Sequence, residues 1–382
     1  MGKPSSENKK RIAIVQEYLP HYRAPFFEKL NNLSKYQWEL MCGPHLGEGF
    51  SGLAIDTEAP LPIKPIRHFT LGKFSWRRGV SCWLRECKYD AVVFGLGWPI
   101  LSNVLLPMVA RQQGTAVIAW SKGISESGKN RSALFNAYQK LYLQQCDAML
   151  VYGHVSKKYF TDIGVPAGKI FIAQNTIDTL KIARDLPFSR QQALLYRNEL
   201  ELTDKIVVGY LGRLSKEKKI DNIIQAFSII SKANPDIHLL IAGDGPEREK
   251  LEVSCADLDY RSRIHFLGKI PIEQQDACLE SFDIYVSAYA GGLGILEAMA
   301  HQKKIVITPE SRPETELIQD GLTGYITRGF SVENLADSIM DAVQNQNEDM
   351  AKRAQSKVLE CATLEKMVRS FDDAVDYAFL RR

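Results

Sequence analysis

The chain has 382 residues, of which 45% are apolar, and a formal net charge of +3. That length exceeds one ordinary domain and suits two, while the longest apolar runs, such as Leu239-Leu240-Ile241-Ala242, are far too short for a membrane-spanning helix. Charge is unevenly placed: residues 1–190 hold 25 Lys+Arg against 14 Asp+Glu and residues 191–382 hold 23 against 31. The basic first half therefore points to an anionic partner, either a membrane surface or a lipid-phosphate-linked acceptor, with a plain solvated surface as the simpler account. Nucleic acid fits poorly, because no recognition motif accompanies the charge.

From the N-terminus, residues 1–10 are polar and lack a signal-peptide core. Met1-Gly2 with Ser6 satisfies the loose myristoylation pattern, and a polar leader is the simpler reading. Ile12-Ala13-Ile14-Val15 reads as a buried strand, and Phe26, Phe27, Leu30 and Leu33 have helical spacing. Trp38–Met41, Ala91–Phe94, Ala116–Ala119, Ala148–Val151 and Ile170–Ala173 read as further strands, with helices over roughly 99–112 and 133–145. Phe74-Ser75-Trp76-Arg77-Arg78 with Trp83, Arg85 and Lys88 is basic and aromatic. On a helix it would suit either a membrane interface or a core-facing helix with a solvated basic side. Residues 181–205, with Pro187 and a short polar helix near 189–199, read as an interdomain connection. Ile206–Leu211 restarts the alternation of strand and helix, which continues to about 345, and Leu364–Arg382 reads as an amphipathic terminal helix. Repeated strand–helix units imply parallel sheets covered on both faces. Seven scattered cysteines include no C-x-x-C pair, which fits a reducing, cytoplasmic setting.

Chemistry concentrates in the second half. Gly212-Arg213-Leu214, with Lys218 behind it, follows the strand that begins at Ile206. Gly212 allows close backbone approach to a phosphate, Arg213 can bridge two of its oxygens, and Lys218 adds a point charge. Gly243-Asp244-Gly245-Pro246 follows the next strand, near a nucleotide or simply as a tight turn into a helix. Gly291-Gly292-Leu293-Gly294-Ile295 precedes Glu297 and opens a helix whose amides could face a diphosphate. A carboxylate at 297 can accept both ribose hydroxyls, or serve only as a first-turn acid. No loop makes the dinucleotide G-x-G-x-x-G pattern.

This order of loops resembles the nucleotide-sugar-binding half of family 4 glycosyltransferases, clearly over residues 206–345 and more loosely over 11–180. The resemblance implies an α/β chain with the GT-B fold: two Rossmann-like domains whose parallel sheets face a central cleft. The domains would be an acceptor-binding domain (1–180), a connection (181–205), a nucleotide-sugar-binding domain (206–362) and a terminal helix (363–382) that crosses back. It implies glycosyl transfer with retention from a nucleoside-diphosphate sugar to a glycan or lipid-linked acceptor. No cofactor and no metal are implied, since Arg213 and Lys218 supply the positive charge. Arg213, Lys218 and His21 are the catalytic candidates. Gly212, Gly243, Gly245, Tyr289, Gly292, Leu293, Gly294, Ile295 and Glu297 are the donor-binding ones. Tyr289 departs from the family, which places a sugar-contacting Glu there; a deoxy or acetamido donor would be one consequence. Tyr18–Phe27 resembles the H-Y-R-x-P-F-F string of bacterial surface-polysaccharide glycosyltransferases, which sets His21 and Arg23 on the acceptor side. Lys122 stands where the family often has His, and Asn175 lies in the hinge-like Gln174–Asp178 segment. A peripheral contact with an anionic membrane at its inner face is the remaining partner expected. A sugar-nucleotide epimerase of the same fold and a weakened nucleotide-sugar-binding scaffold are the alternatives.

Overall fold

A computed structural model describes residues 9–43, 60–71, 74–95, 102–123, 133–289, 291–309, 312–345 and 349–382. The Met1-Gly2 pattern lies outside the described residues. The chain divides into two compact units, Met1–Ile177 with Leu364–Arg382, and Asp178–Thr363.

Unit 1 contains β1 (Arg11–Val15), α1 (Ala24–Leu33), β2 (Gln37–Cys42), β3 (Ile63–Pro65), β4 (Arg67–Leu71), β5 (Phe74–Arg78), α2 (Val80–Cys87), β6 (Ala91–Gly95), α3 (Ser102–Gln112), β7 (Ala116–Ser121), α4 (Ala133–Gln144), β8 (Ala148–Val151), α5 (His154–Asp162) and β9 (Ile170–Ile172). Seven strands form one parallel sheet in the order β3-β2-β1-β6-β7-β8-β9. Its strands are near-continuous apolar runs because both faces are covered. The terminal helix, Leu364–Leu380, packs on α1 and on β7, β8 and β9 of this unit. Its Leu364, Met367, Val368, Phe371, Ala374, Val375 and Ala378 are all buried, an apolar stripe at helical spacing. Phe371 is the keystone, with ring centroids 5.0 Å from Phe26, 5.8 Å from Trp38 and 5.0 Å from Trp120.

The stretch from Phe74 to Lys88 is not one helix. β4 and β5 form an antiparallel hairpin, and Gly79, at φ 99°, turns the chain into α2. Arg77 is 3% exposed and its Nη1 donates to Asn103 Oδ1 at 3.1 Å. A helical face presenting this cation to a membrane is thereby excluded. Aromatic and basic residues suit a strand as well as a helix, and the glycine decides where one ends.

Unit 2 contains α6 (Thr179–Glu199), β10 (Ile206–Leu211), α7 (Ile220–Ala233), β11 (Ile237–Ala242), α8 (Arg248–Cys255), β12 (Ile264–Gly268), α9 (Ile272–Glu280), β13 (Ile284–Ser287), α10 (Leu293–Ala300), β14 (Lys304–Ile307), β15 (Tyr325–Ile326), α11 (Val332–Gln344) and α12 (Asp349–Cys361). The sheet is parallel, in the order β12-β11-β10-β13-β14-β15. α7 buries Ile220, Ile223, Ile224, Phe227 and Ile230 against it. Residues 181–205 are not a connection. Most of them form α6, a 21-residue helix packed on α9, α10 and α12 within unit 2. Pro187 sits inside this helix, where it forfeits one intrahelical bond. The packing of Ile182, Leu186 and Ala193 outweighs that loss, which is why a proline misleads a reading of sequence alone.

Candidate functional site

In an open parallel α/β sheet, ligands gather beyond the C-terminal ends of the strands. In unit 2 the loops after β10, β11 and β13 occupy that edge. β10 lies between β11 and β13, with Gly209 level with Leu240 and with Tyr285. Gly212 N–H donates to Ala242 O at 2.9 Å, and Leu214 N–H to Asp244 O at 2.9 Å. The first two glycine loops are thus laced together. A Cβ at Gly243, whose φ is +137°, would stand 1.8 Å from Gly212 O. Close packing of backbone on backbone therefore accounts for Gly243, whatever else it touches. Gly245, Gly243's neighbour in the same turn, abuts Leu214 O in the same manner.

Arg213 is exposed and Lys218, at the end of a short 3-10 turn (Lys216–Lys218), is half-buried. A carboxylate, Glu217, lies between them in the chain. Glu217 is held below the ordinary carboxylate range first by the Ser215 hydroxyl, which donates to Oε1 at 2.6 Å, and then by its own amide, with Lys218 and Arg213 adding. Sequence reading gave Glu217 no role.

α10 starts at the edge of β10. A Cβ at Gly294 would meet Tyr285 Oη at 2.5 Å and the Leu211 carbonyl at 3.6 Å. The N-cap is Gly292 at φ 60°, ψ −144°, a region open essentially to glycine alone. Gly292 has no side chain with which to cap this helix, so among the described residues its first-turn amides present the positive end of the helix dipole. Leu293 is half-buried. Ile295 lies in the first turn of α10. Its side chain is 1% exposed in the core, and its N–H already donates to Gly292 O at 3.3 Å. An apolar residue one turn into a helix faces the core when the helix packs, and a glycine-rich context does not change that.

Glu297 keeps some accessible surface but stands amid densely packed protein. That burial pushes its pKa up to about 7, with His301 pulling it down and Asp276 pushing it up. Behind it lies a buried ionic network absent from the sequence reading. His301 is 0% exposed, with Nδ1 2.8 Å from Glu280 Oε1 and Nε2 3.2 Å from Asp276 Oδ1. Burial opposes its protonation, but hydrogen bonds to Asp276 and Glu280 outweigh burial and raise its pKa. Lys303 Nζ completes the network, 2.8 Å from Glu280 Oε2. Lone charged residues on α9 and in the turn after α10 give no signal of one another in sequence; only the packing of the elements brings them together.

Tyr289 is half-buried just before the α10 loop. The Arg312 guanidinium lies 5.2 Å from its ring centroid, and the Phe330 ring 6.3 Å away. An aromatic ring and a cation thus occupy the surroundings of a position where the resemblance implies an acid.

In unit 1, His21, Lys122 and Asn175 follow β1, β7 and β9, at the C-terminal edge of that sheet. His21 is half-buried in a 3-10 turn, and Lys122 is exposed. Asn175 is 8% exposed and its Oδ1 has no hydrogen-bond partner among the described residues. Arg23 is turned inward, which corrects its placement toward an acceptor. It is 3% exposed, donates to Tyr152 Oη at 2.8 Å, and lies 4.9 Å from the Trp120 ring centroid. An aromatic cage offers a guanidinium both stacking and a hydrogen bond, so here Arg23 locks the loop onto the core. Among the described residues no helix is long and apolar enough to cross a membrane.

Residues 194–357 match the model of the family "Glycosyl transferases group 1". The chain is 26% identical over 265 residues to the GDP-mannose-dependent alpha-(1-6)-phosphatidylinositol monomannoside mannosyltransferase of Mycolicibacterium smegmatis, 67% of this chain and 68% of that one. It is 25% identical over 174 residues to the poly(ribitol-phosphate) alpha-N-acetylglucosaminyltransferase of Staphylococcus aureus, 44% of this chain and 35% of that one. The chain thus spans about a third of the length of that relative. The crystal structure of Anabaena HepE in complex with UDP superposes with a TM-score of 0.75 at 15% identity, covering 96% of this chain and 99% of that one.

Proposed function

We propose that this chain, a GT-B-fold protein matching the group 1 glycosyl transferases over residues 194–357, moves a sugar from a nucleoside diphosphate to a glycan or lipid-linked acceptor. The product would enter a polysaccharide or glycoconjugate. The observation that carries the reading is the meeting of three positive features at one sheet edge. Arg213, Lys218 and the uncapped start of α10 lie on the loops after the neighbouring strands β10 and β13. That arrangement suits a diphosphate. Glu297 lies farther along α10, where its carboxylate would accept both ribose hydroxyls. The UDP in the HepE crystal and the GDP-mannose in the mannosyltransferase's name are of the same ligand class.

In the reaction, the acceptor oxygen bonds to the anomeric carbon while the bond from that carbon to the diphosphate oxygen breaks. Negative charge grows on the leaving diphosphate, where Arg213, Lys218 and the helix amides stabilise it more than in the ground state. The departing phosphate oxygen takes the acceptor proton, so the site needs no separate base. Retention fits the two relatives named for α-linkages, since nucleotide sugars are commonly α-linked themselves. Unit 1 would hold the acceptor, with His21 and Lys122 as its polar contacts. The positive groups named here substitute for a metal.

The test is a panel of nucleotide sugars with the purified protein, followed by NMR of the product anomer. Release of nucleoside diphosphate with an α-linked product supports the reading. Conversion of the donor to an isomer without acceptor would make it an epimerase, and failure of every nucleoside diphosphate to bind would end it.

A further inference from the structure

At the opposite end of the unit 1 sheet, an open surface depression of about 700 Å³ is lined by the exposed Lys10, Arg85, Lys88 and Arg382 with Asp90 and Phe379, among others. These residues lie at the N-terminal ends of the strands: Lys10 precedes β1, Asp90 precedes β6, and Gln113 and Gly114, also in the lining, precede β7. Lys122 follows the other end of β7, so the length of a six-residue strand, about 20 Å, separates the depression from the acceptor-side candidates.

Four cations line this depression against one acid, and the acid is already engaged: Asp90 Oδ2 accepts the Arg11 backbone N–H at 2.8 Å. Arg382 Nε lies 3.4 Å from Asp147 Oδ2, a carboxylate that Arg111 also contacts at 2.8 Å. Lys10, Arg85 and Lys88 have no carboxylate within ion-pair distance among the described residues. The Lys10 ammonium lies 3.7 Å from the Phe379 ring centroid.

The α2 C-terminus explains part of this charge, since its carbonyls favour cations and Arg85 lies in its last turn. It explains neither Lys10, at the start of a strand, nor Arg382, beyond the terminal helix. Lys88 lies at the C-terminus of α2. It closes α2 at φ 48°, a left-handed conformation that glycine adopts without strain. A cation thus stands beside Arg85 at the end of α2, in a conformation that glycine adopts more readily.

We infer that this depression binds a phosphate-bearing ligand with two or more negative charges, separately from the donor site. The volume exceeds a single phosphate, and the ring of Phe379 gives an apolar wall beside the cations. The ligand is either a free phosphorylated compound or the headgroup of an anionic phospholipid.

The experiment uses the full chain with tripolyphosphate in calorimetry, and in parallel with vesicles of phosphatidylglycerol or of phosphatidylcholine in co-sedimentation. The Arg85→Gln/Lys88→Gly variant removes two cations while relaxing the backbone at 88. Lys140→Gln/Lys158→Gln removes the same charge elsewhere on the unit, and Arg213→Ala disables the candidate donor site. Expected is one tripolyphosphate-binding event that falls at least tenfold in Arg85→Gln/Lys88→Gly and stays within about twofold in the other two variants, beside a second, at the donor site, that Arg213→Ala alone weakens. Binding of tripolyphosphate alone identifies a soluble ligand; co-sedimentation with phosphatidylglycerol alone identifies the headgroup. A single binding event, lost in Arg213→Ala only, would assign the phosphate to the donor site, equal loss in the charge-matched control would make the effect non-specific, and no binding by either probe would remove the site. Each of these three overturns the inference.

Discussion

Glu297 offers the sharpest test of the donor site, because its environment fixes a pH at which binding should change. With a pKa of about 7, the carboxylate is roughly nine-tenths ionised at pH 8 and roughly one-tenth at pH 6. Only the ionised form accepts hydrogen bonds from both ribose hydroxyls. Affinity should therefore fall roughly tenfold between those two pH values, with its midpoint near the pKa of Glu297. Glu297→Gln keeps one acceptor oxygen and loses the charge. A charge-assisted hydrogen bond contributes about 1.5–3 kcal/mol, so the variant should bind roughly 10- to 100-fold more weakly. Its binding should also be nearly flat over the same pH range. The ligand should be an intact nucleotide sugar, whose phosphodiesters do not titrate in this range, and the assay is calorimetry. His301, Asp276, Cys278 and Tyr285 are the titratable groups around Glu297, and the variant separates their contribution from its own. The ligand-free protein should show the opposite trend. An acid raised from 4.5 to about 7 holds its proton more tightly folded than unfolded. Its contribution to stability is complete below the unfolded value and is lost as pH rises through the folded one. Equal affinity of Glu297→Gln and the native protein at pH 8, with the same pH profile in both, would refute the ribose assignment.

Arg213→Ala should lower turnover by about 10²–10³-fold with little change in melting temperature, as loss of a charge contact to the leaving group does; near-normal turnover removes Arg213 from the site. Chelator should leave activity intact, and complete loss that added divalent cation restores would overturn the metal-free mechanism. Gly243→Ala should destabilise unit 2 by about 2–4 kcal/mol in denaturant titration, because the new methyl meets a backbone carbonyl that cannot move freely; a silent substitution would show the two loops to be loosely held. Phe371→Ala should destabilise unit 1 by about 3–5 kcal/mol through the cavity left among three aromatic rings, and a cost below about 1 kcal/mol would mean that the terminal helix adds little to that core.

The sequence carried most of the sheet architecture because parallel strands covered on both faces are short apolar runs separated by helices. Ile12–Val15, Ala116–Ala119 and Ile206–Leu211 announce themselves in this way. It failed where tertiary packing overrides a local signal. Pro187 looks like a break and lies inside α6; Trp76 and Arg77 look like one face of a helix and lie in a hairpin. The glycine loops were legible in position but not in cause. Gly243 is required by the carbonyl of Gly212, a contact between residues far apart in the chain that no local pattern encodes.

The same limit applies to charge. Arg23 and Arg213 both sit in loops after the first strand of their units, and the sequence reading sets the first on the acceptor side and the second on the leaving diphosphate. Arg23 is enclosed by Tyr152 and Trp120, whereas Arg213 is exposed beside Lys218 and Glu217. A guanidinium already stacked and hydrogen-bonded gains little from an incoming phosphate, because the new contact must replace one that is already made. An exposed guanidinium with a second cation nearby gains more, since both charges attract the phosphate and neither is enclosed by aromatic rings. Tyr289 extends this reasoning to the sugar. With Arg312 over its ring and no acid at 289, the position offers stacking, a phenolic hydroxyl and a positive field. Tyr289→Glu would restore an acceptor of two sugar hydroxyls in their place. A donor screen of this variant beside the native protein should therefore shift preference toward unmodified hexoses. An unchanged ranking of donors would mean that residue 289 does not touch the sugar.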